Sequence, residues 1–209
     1  MLLSILIESE SSNLDVWSFF ISLGTFGVAI AALFVWRAER RHDLKIETLA
    51  KSQPAMGLIK YLRNPLSFSG EIDQQLLEDW KKNNINIEAT SEVVAALTFH
   101  SKLVRMNETY KEIQELKAKL WAHYNDEHAF LKFYAYVLQT VSEVSNAHRA
   151  LVPLANTRSF SAQVFDKQRA DYRKVIYEIT GDEISVKLDN LYNEVLKHRH
   201  KKWWFTIFT

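Results

Sequence analysis

The sequence contains no cysteine in 209 residues. Disulfides, thiol catalysis and cysteine-based zinc sites are therefore excluded, and the composition suits a reducing compartment. Glycine occurs five times and proline three times, which is too rare for the frequent tight turns of an all-β fold. These absences predict a helical protein.

Charge of one sign is also scarce. Lysine and arginine total 26, aspartate and glutamate total 25, and the formal net charge is +1. Four cations lie together near the C-terminus, and the body of the chain before them is close to neutral. Without a broad basic face, generic nucleic-acid binding is disfavoured.

Residues 17–36 read WSFFISLGTFGVAIAALFVW, without one charge and with a tryptophan at each end. As a helix this stretch is roughly 28 Å long, close to the hydrocarbon thickness of a bilayer. Tryptophan prefers the headgroup level, so Trp17 and Trp36 are predicted interface anchors. The pattern predicts a transmembrane helix; a cleaved signal peptide and a buried soluble helix are the alternatives.

The flanks of this stretch predict its orientation. Glu8, Glu10 and Asp15 precede it, without any lysine or arginine. Positive charge close to a span stays in the cytoplasm, so we expect the N-terminus outside and residues 37–209 inside, at a bacterial inner membrane. The anchors on the inner side are Arg37, Arg40 and Arg41, followed by Lys45.

Small residues recur at helical spacing within the stretch and predict association between copies of the helix. In lipid such residues let helices approach closely, and hydroxyls can hydrogen-bond across the contact. The alternative is that they are simply tolerated in a monomeric anchor, and a pore would need a polar inner half that is missing here. One seam is formed by Ser18, Ser22, Thr25, Ala29 and Ala32, with Gly27 and Ala31 on an adjoining face.

Helical periodicity dominates the rest of the chain, and we expect an all-α protein with one N-terminal transmembrane helix and a cytosolic helical bundle. Pro54 is predicted to break or kink the first helix, and Pro153 to end a long helix that begins at Asp126. Asn107 is predicted to cap a helix whose apolar positions are Tyr110, Ile113, Leu116 or Lys117, Leu120 and Trp121. The expected regions are an extracytoplasmic segment (1–16), the transmembrane helix (17–36), a juxtamembrane helical region (37–62), the bundle (71–197) and a tail (198–209).

Histidines would have to anchor any transition-metal site in a chain without cysteine. His123 and His128 are five residues apart, which places them about 140° apart on a helical wheel rather than on one face. His100 and His148 are isolated, and no phosphate-binding loop or nucleophile motif occurs. No catalytic, cofactor or metal site is therefore predicted.

The last residues, KHRHKKWWFTIFT, place cations directly before aromatic side chains. Anionic lipid attracts such cations and tryptophan favours the interface, which predicts membrane contact. Single-stranded nucleic acid and a place in the bundle core or in a partner's groove are the alternatives. The residues concerned are Lys197, Arg199, Lys201, Lys202, Trp203, Trp204 and Phe205.

Together these patterns predict a non-enzymatic, single-pass membrane protein whose helical domain is a tethered scaffold, sensor or interaction module. Its expected partners are the lipid bilayer, further copies of itself and a cytosolic protein. One alternative is a membrane-disrupting or pore-forming effector, such as a toxin or an antiviral defence component. A second is a membrane-surface enzyme with an unrecognised active site.

Overall fold

The computed structural model describes residues 2–64, 74–83, 91–156, 162–177 and 181–200. Within these ranges the chain is all-helical, with seven α-helices, one short 3-10 helix and no strand. The helices are α1 (Leu2–Arg63), α2 (Gln74–Asn83), α3 (Ser91–Arg105), α4 (Asn107–His123), α5 (Ala129–Asn156), α6 (Ala162–Ile176) and α7 (Glu183–Lys197), followed by the 3-10 helix His198–His200. The predicted all-α class is confirmed.

The described chain divides between Lys45 and Ile46 into two compact units. The first contains α1 up to Lys45, and the second, which we call the helical domain, is Ile46–His200. Helix α1 contributes to both units because it continues without a break to Arg63.

Helix α5 is the centre of the helical domain, since α3, α4, α6 and α7 all contact it. Its apolar side chains recur every three or four residues, so they form a continuous buried face along 28 residues. Removing that face from water is the main favourable contribution to the fold. The fully or nearly fully buried members are Phe130, Phe133, Tyr134, Val137, Val141 and Val144.

Pro54 does not break its helix and Pro153 does not end its helix, whereas the alternative of a kink at Pro54 stays a prediction. Pro54 lies inside α1 and Pro153 lies inside α5. A proline inside a helix leaves the carbonyl four residues earlier, here that of Ala50, without its usual hydrogen-bond donor. The energetic cost of this loss is reduced because Pro54 and Ala50 are both exposed to solvent. Burial of Leu58 and Leu62 in the helical domain holds the following turns in place.

Two helix boundaries also differ from the predictions. Asn107 is the first residue of α4 rather than its cap, and the capping position is Met106, without a side-chain hydrogen bond. Asp126 lies in the turn before α5, which begins at Ala129. At α7 the N-cap is Asp182, whose carboxylate accepts a hydrogen bond from the Ser185 amide at 2.7 Å.

The apolar stripe of α4 is confirmed in its centre and wrong at its end. Ile113, Leu116 and Leu120 are buried against the domain, as their 3-4 spacing predicts. Trp121 is 72% exposed. It follows Leu120 directly and is therefore rotated by about 100° away from the buried stripe.

Candidate functional site

The apolar segment of α1 is the most unusual surface of the protein. Every residue from 16 to 36 is exposed, and none of the apolar window is buried. Among the described helices this one alone is long and apolar enough to cross a membrane. A core helix of a soluble protein would instead be largely covered by its own chain.

Two hydroxyl groups of this segment are satisfied within the helix. Ser22 donates from Oγ to the carbonyl oxygen of Ser18, and Thr25 donates from Oγ1 to that of Ile21, both at 2.8 Å. Such back-bonding lets a hydroxyl enter an apolar solvent without a partner helix. The other predicted association residues are exposed on the same helix, and their role in association stays a prediction. They are Ser18, Gly27, Ala29, Ala31 and Ala32.

The predicted interface anchors lie at both ends of the segment. Trp17 is 67% and Trp36 is 53% exposed. The guanidinium of Arg40 lies 5.3 Å from the centre of the Trp36 ring, a cation-π distance. Arg37 is exposed and Arg41 is partly exposed. The second end of the segment thus has an aromatic ring and a cation on one face.

The predicted tail contact falls only partly on described residues. Lys197 is the last residue of α7, and Arg199 lies in the 3-10 helix; both are exposed. The remaining residues of this prediction lie outside the described residues. They are Lys201, Lys202, Trp203, Trp204 and Phe205.

A buried arginine fastens the end of α1 to α6 and α7. Arg63 is 1% exposed, and its Nη2 lies 2.7 Å from Oδ2 of Asp182. The same guanidinium donates to the carbonyl oxygens of Lys174, Val175 and Tyr177. The planar guanidinium has five N–H donors and can bond to all of these acceptors at once, whereas a lysine would satisfy fewer of them. We call this group the Arg63 cluster.

A second ion cluster, centred on the buried Glu92, joins α3 to α6. Glu92 in the first turn of α3 is 7% exposed, and its Oε1 pairs with Nη2 of Arg169. Nη2 of Arg173 lies 3.6 Å from the same oxygen. Beside this pair is a cavity of about 30 Å³, lined in part by His148 and Tyr177. A space of that size accommodates a single water molecule.

Two buried bases lie near this cluster. Lys102 donates to the carbonyl oxygen of Tyr61 at 3.3 Å, and burial lowers its pKa to about 8. His148 stacks on Phe99 with ring centres 4.8 Å apart. Burial, and secondarily the charge of Lys102, lowers the pKa of His148 to about 4. His148 is therefore neutral near pH 7.

His123 and His128, the two histidines that are five residues apart, do not lie on one helix. His123 ends α4, whereas His128 lies in the turn before α5. Nδ1 of His128 accepts a hydrogen bond from the Phe130 amide at 3.3 Å, so this ring caps the start of α5. Across the described ranges no three His, Asp or Glu side chains are grouped as metal ligands.

A surface groove of about 610 Å³ lies between α5, α6 and α7. Tyr136 and Glu143 of α5 line one side, and Lys187 of α7 lies 4.5 Å from the centre of the Tyr136 ring. The size is that of a small-molecule site. Its charges are of both signs, so its chemistry does not indicate one class of ligand.

Sequence reasoning misses the Arg63 and Glu92 clusters and treats His148 as isolated. One usable signal is local: Arg63 directly follows the apolar positions Leu58, Ile59 and Leu62, all buried. No family model, curated protein or solved structure matches this chain.

Proposed function

We propose that this chain is a single-pass membrane protein that tethers its helical domain to the inner face of a bacterial inner membrane. The exposure of the whole apolar segment of α1 carries the proposal. Exposed apolar area of this extent is unfavourable in water and favourable in lipid. The hydroxyls of Ser22 and Thr25 also fit a lipid environment, because each donates to a carbonyl of its own helix and needs no hydrogen bond from water.

The orientation follows from the charges around the segment. Arg37, Arg40 and Arg41 lie directly after it, and the sixteen residues before it include no lysine or arginine. Arginines next to a membrane span stay on the cytoplasmic side, so the N-terminus is proposed to lie outside the inner membrane and the helical domain in the cytoplasm.

The helical domain is proposed to be an interaction module, without catalysis. Its buried charged groups bridge helices: Arg63 reaches α6 and α7, Glu92 reaches α6, and Lys102 reaches the last turn of α1. This use supports a structural role for them. The groove beside Tyr136 and Lys187 is the concave surface available to a cytosolic partner or small ligand. Self-association through the small residues of α1 completes the proposal.

The absence of cysteine makes a direct test of topology simple. Ser12→Cys places a thiol in the proposed outer segment, and Asn107→Cys places one at an exposed position of the helical domain. In intact spheroplasts a membrane-impermeant maleimide should label the thiol at position 12 and spare the thiol at position 107. Lysis should make both accessible.

Two outcomes would contradict different parts of the proposal. Labelling at position 107 before lysis would contradict the orientation. Recovery of the full-length protein in the soluble fraction without detergent would contradict the anchor itself.

A further inference from the structure

One end of the helical domain collects the contacts of the first turns that α1 contributes to it. Nζ of Lys119, near the end of α4, lies 2.9 Å from Oε1 of Glu47. The hydroxyl of Tyr134, near the start of α5, donates to the carbonyl oxygen of Thr48 at 2.7 Å. We call this the Ile46 end, because Ile46 is the first residue of the domain.

Helix α7 finishes at the same end. The ring of His198 lies 5.0 Å from that of His128 and 5.1 Å from that of Phe130, at the start of α5. In the sequence the cations Lys201 and Lys202 follow shortly after. The Ile46 end is thus connected by short stretches of chain to both the arginines of α1 and the basic tail.

Trp121 is an exposed aromatic side chain of this end. It is 72% exposed and lies in the last turn of α4. Lys117 precedes it by four residues and therefore lies on the same face. That face continues through Ala118 and Gln114, and these four positions include no carboxylate.

The direction of α4 places Trp121 beyond Lys117. Glu112 pairs with Lys51 at 2.7 Å and Lys119 pairs with Glu47, so α4 runs antiparallel to residues 46–63 of α1. Trp121 is consequently nearer to the Ile46 end than Lys117 is.

A tryptophan and a cation four residues apart also occur on α1. On α1 the tryptophan comes first: Trp36 precedes Arg40, whose guanidinium lies over the indole ring, and Ile46 follows six residues later. On α4 the order along the chain is reversed, with the cation first and the indole nearer to the Ile46 end. An indole at the carbonyl level with a cation one turn away at the phosphates is the order that a membrane interface favours.

The charges of the Ile46 end allow such a contact. Glu47 and Glu127 are engaged by Lys119 and Lys132. The exposed carboxylates Glu115, Asp126 and Glu194 are matched in number by three cations, which are the partly exposed Lys117 and the exposed Lys197 and Arg199.

We propose that Trp121 and Lys117 bind the surface of an anionic bilayer, so that α4 is a second membrane contact of the domain. The inference rests on the proposed anchoring of α1. A cation near the surface is attracted by anionic lipid, and indole favours the interfacial layer. A soluble protein or a second copy of the chain could cover the same face, and the test must distinguish each of them from the bilayer.

The test uses full-length protein in nanodiscs with one copy each. Ala118→Cys, at an exposed position of the same face that leaves Trp121 in place, is labelled with an environment-sensitive fluorophore. Val104→Cys is the matched control. Val104 is 61% exposed and apolar, and it lies before the start of α4, at the other end of that helix. Spin-labelled lipid with a shallow label is the quencher, in discs of phosphatidylglycerol with phosphatidylcholine.

The label at position 118 should be quenched at least about twofold more strongly than the label at position 104, because only the former reaches the interface. High salt or Lys117→Glu should reduce this difference. Equal quenching at both positions, in discs that retain the protein after washing, would overturn the inference and leave the anchor intact.

Two further outcomes separate the other occupants and the anchor. A difference that appears only with two copies per disc would assign the face to self-association and overturn the inference as well. Failure of the protein to enter discs would overturn the anchor itself, and the inference with it.

Discussion

The two units of this protein distribute polarity in opposite ways. The apolar segment of α1 exposes all of its large hydrophobic side chains, whereas the helical domain buries Arg63, Glu92, Lys102 and His148. In water both choices are unfavourable unless compensated. The domain compensates with ion pairs and hydrogen bonds between its own helices. The segment has no such internal compensation, so its compensation has to come from the solvent, which is the physical basis for proposing a bilayer.

The largest effect should come from breaking the Arg63 cluster. Arg63→Met removes the donors for Asp182 and three carbonyl groups, and leaves those partly buried acceptors without this partner. Removing one partner of a buried ion pair costs about 3–5 kcal/mol. We expect the free energy of unfolding of the helical domain to fall by that amount, measured by denaturation of the full-length protein in detergent.

Lys60→Met is the matched control for this prediction. Lys60 lies three residues earlier on α1 and also pairs with a carboxylate of α7, Asp189, but at 3.8 Å and with both side chains more than half exposed. Exposed pairs contribute about 0–1 kcal/mol. Equal losses for the two variants would show that burial does not distinguish these pairs.

A charge in the apolar segment should have a comparable effect on insertion and none on the domain. Phe26→Arg places a guanidinium near the middle of the proposed span, where insertion becomes less favourable by about 3 kcal/mol. We expect most of the variant to be released from membranes by alkaline carbonate. Ile46→Arg, at an exposed position outside the segment, should remain in the pellet. Retention of both variants would argue that the segment is not in the hydrocarbon.

His148 makes the stability of the domain depend on pH. Its pKa is lowered from 6.5 to about 4 in the folded state, so the unfolded state binds more protons between these values. The contribution of neutral His148 to stability is fully present above about pH 6.5 and is lost as the pH decreases toward 4. The shift corresponds to a loss on the order of 3 kcal/mol.

The measurement is the melting temperature of the domain between pH 7 and pH 4.5, for the natural chain and for His148→Phe. The variant keeps a ring against Phe99 and removes the titrating group. Its melting temperature should vary less across this interval. Parallel curves for the two proteins would mean that His148 is not the group responsible.

Parts of this architecture follow from local sequence and parts do not. The uncharged stretch 17–36, the buried stripe of α4 and the N-cap Asp182 are local patterns, since each depends on residues within a few turns. The Arg63 cluster joins residues 111 to 119 positions apart, and no periodicity indicates such a pairing. The predicted break at Pro54 is wrong because packing of the following turns outweighs one lost hydrogen bond. The prediction for Trp121 is wrong because this residue borders the buried stripe without belonging to it.

The smallest expected effect concerns the hydroxyls of the apolar segment. Ser22 and Thr25 already bond to carbonyls of their own helix, so any hydrogen bond to a second copy replaces little. Hydrogen bonds between membrane helices contribute about 0.6 kcal/mol each on average. Ser22→Leu and Thr25→Leu should therefore weaken self-association, measured by energy transfer on dilution in lipid, by about threefold each, with Ile30→Leu as a control outside the seam.

The same substitutions separate a tethered module from a pore-forming effector. Loss of membrane potential on induction of the natural chain, abolished by Ser22→Leu or Thr25→Leu, would favour the effector. An unchanged potential with weakened association supports the module, because the seam then holds copies together without opening a path for ions.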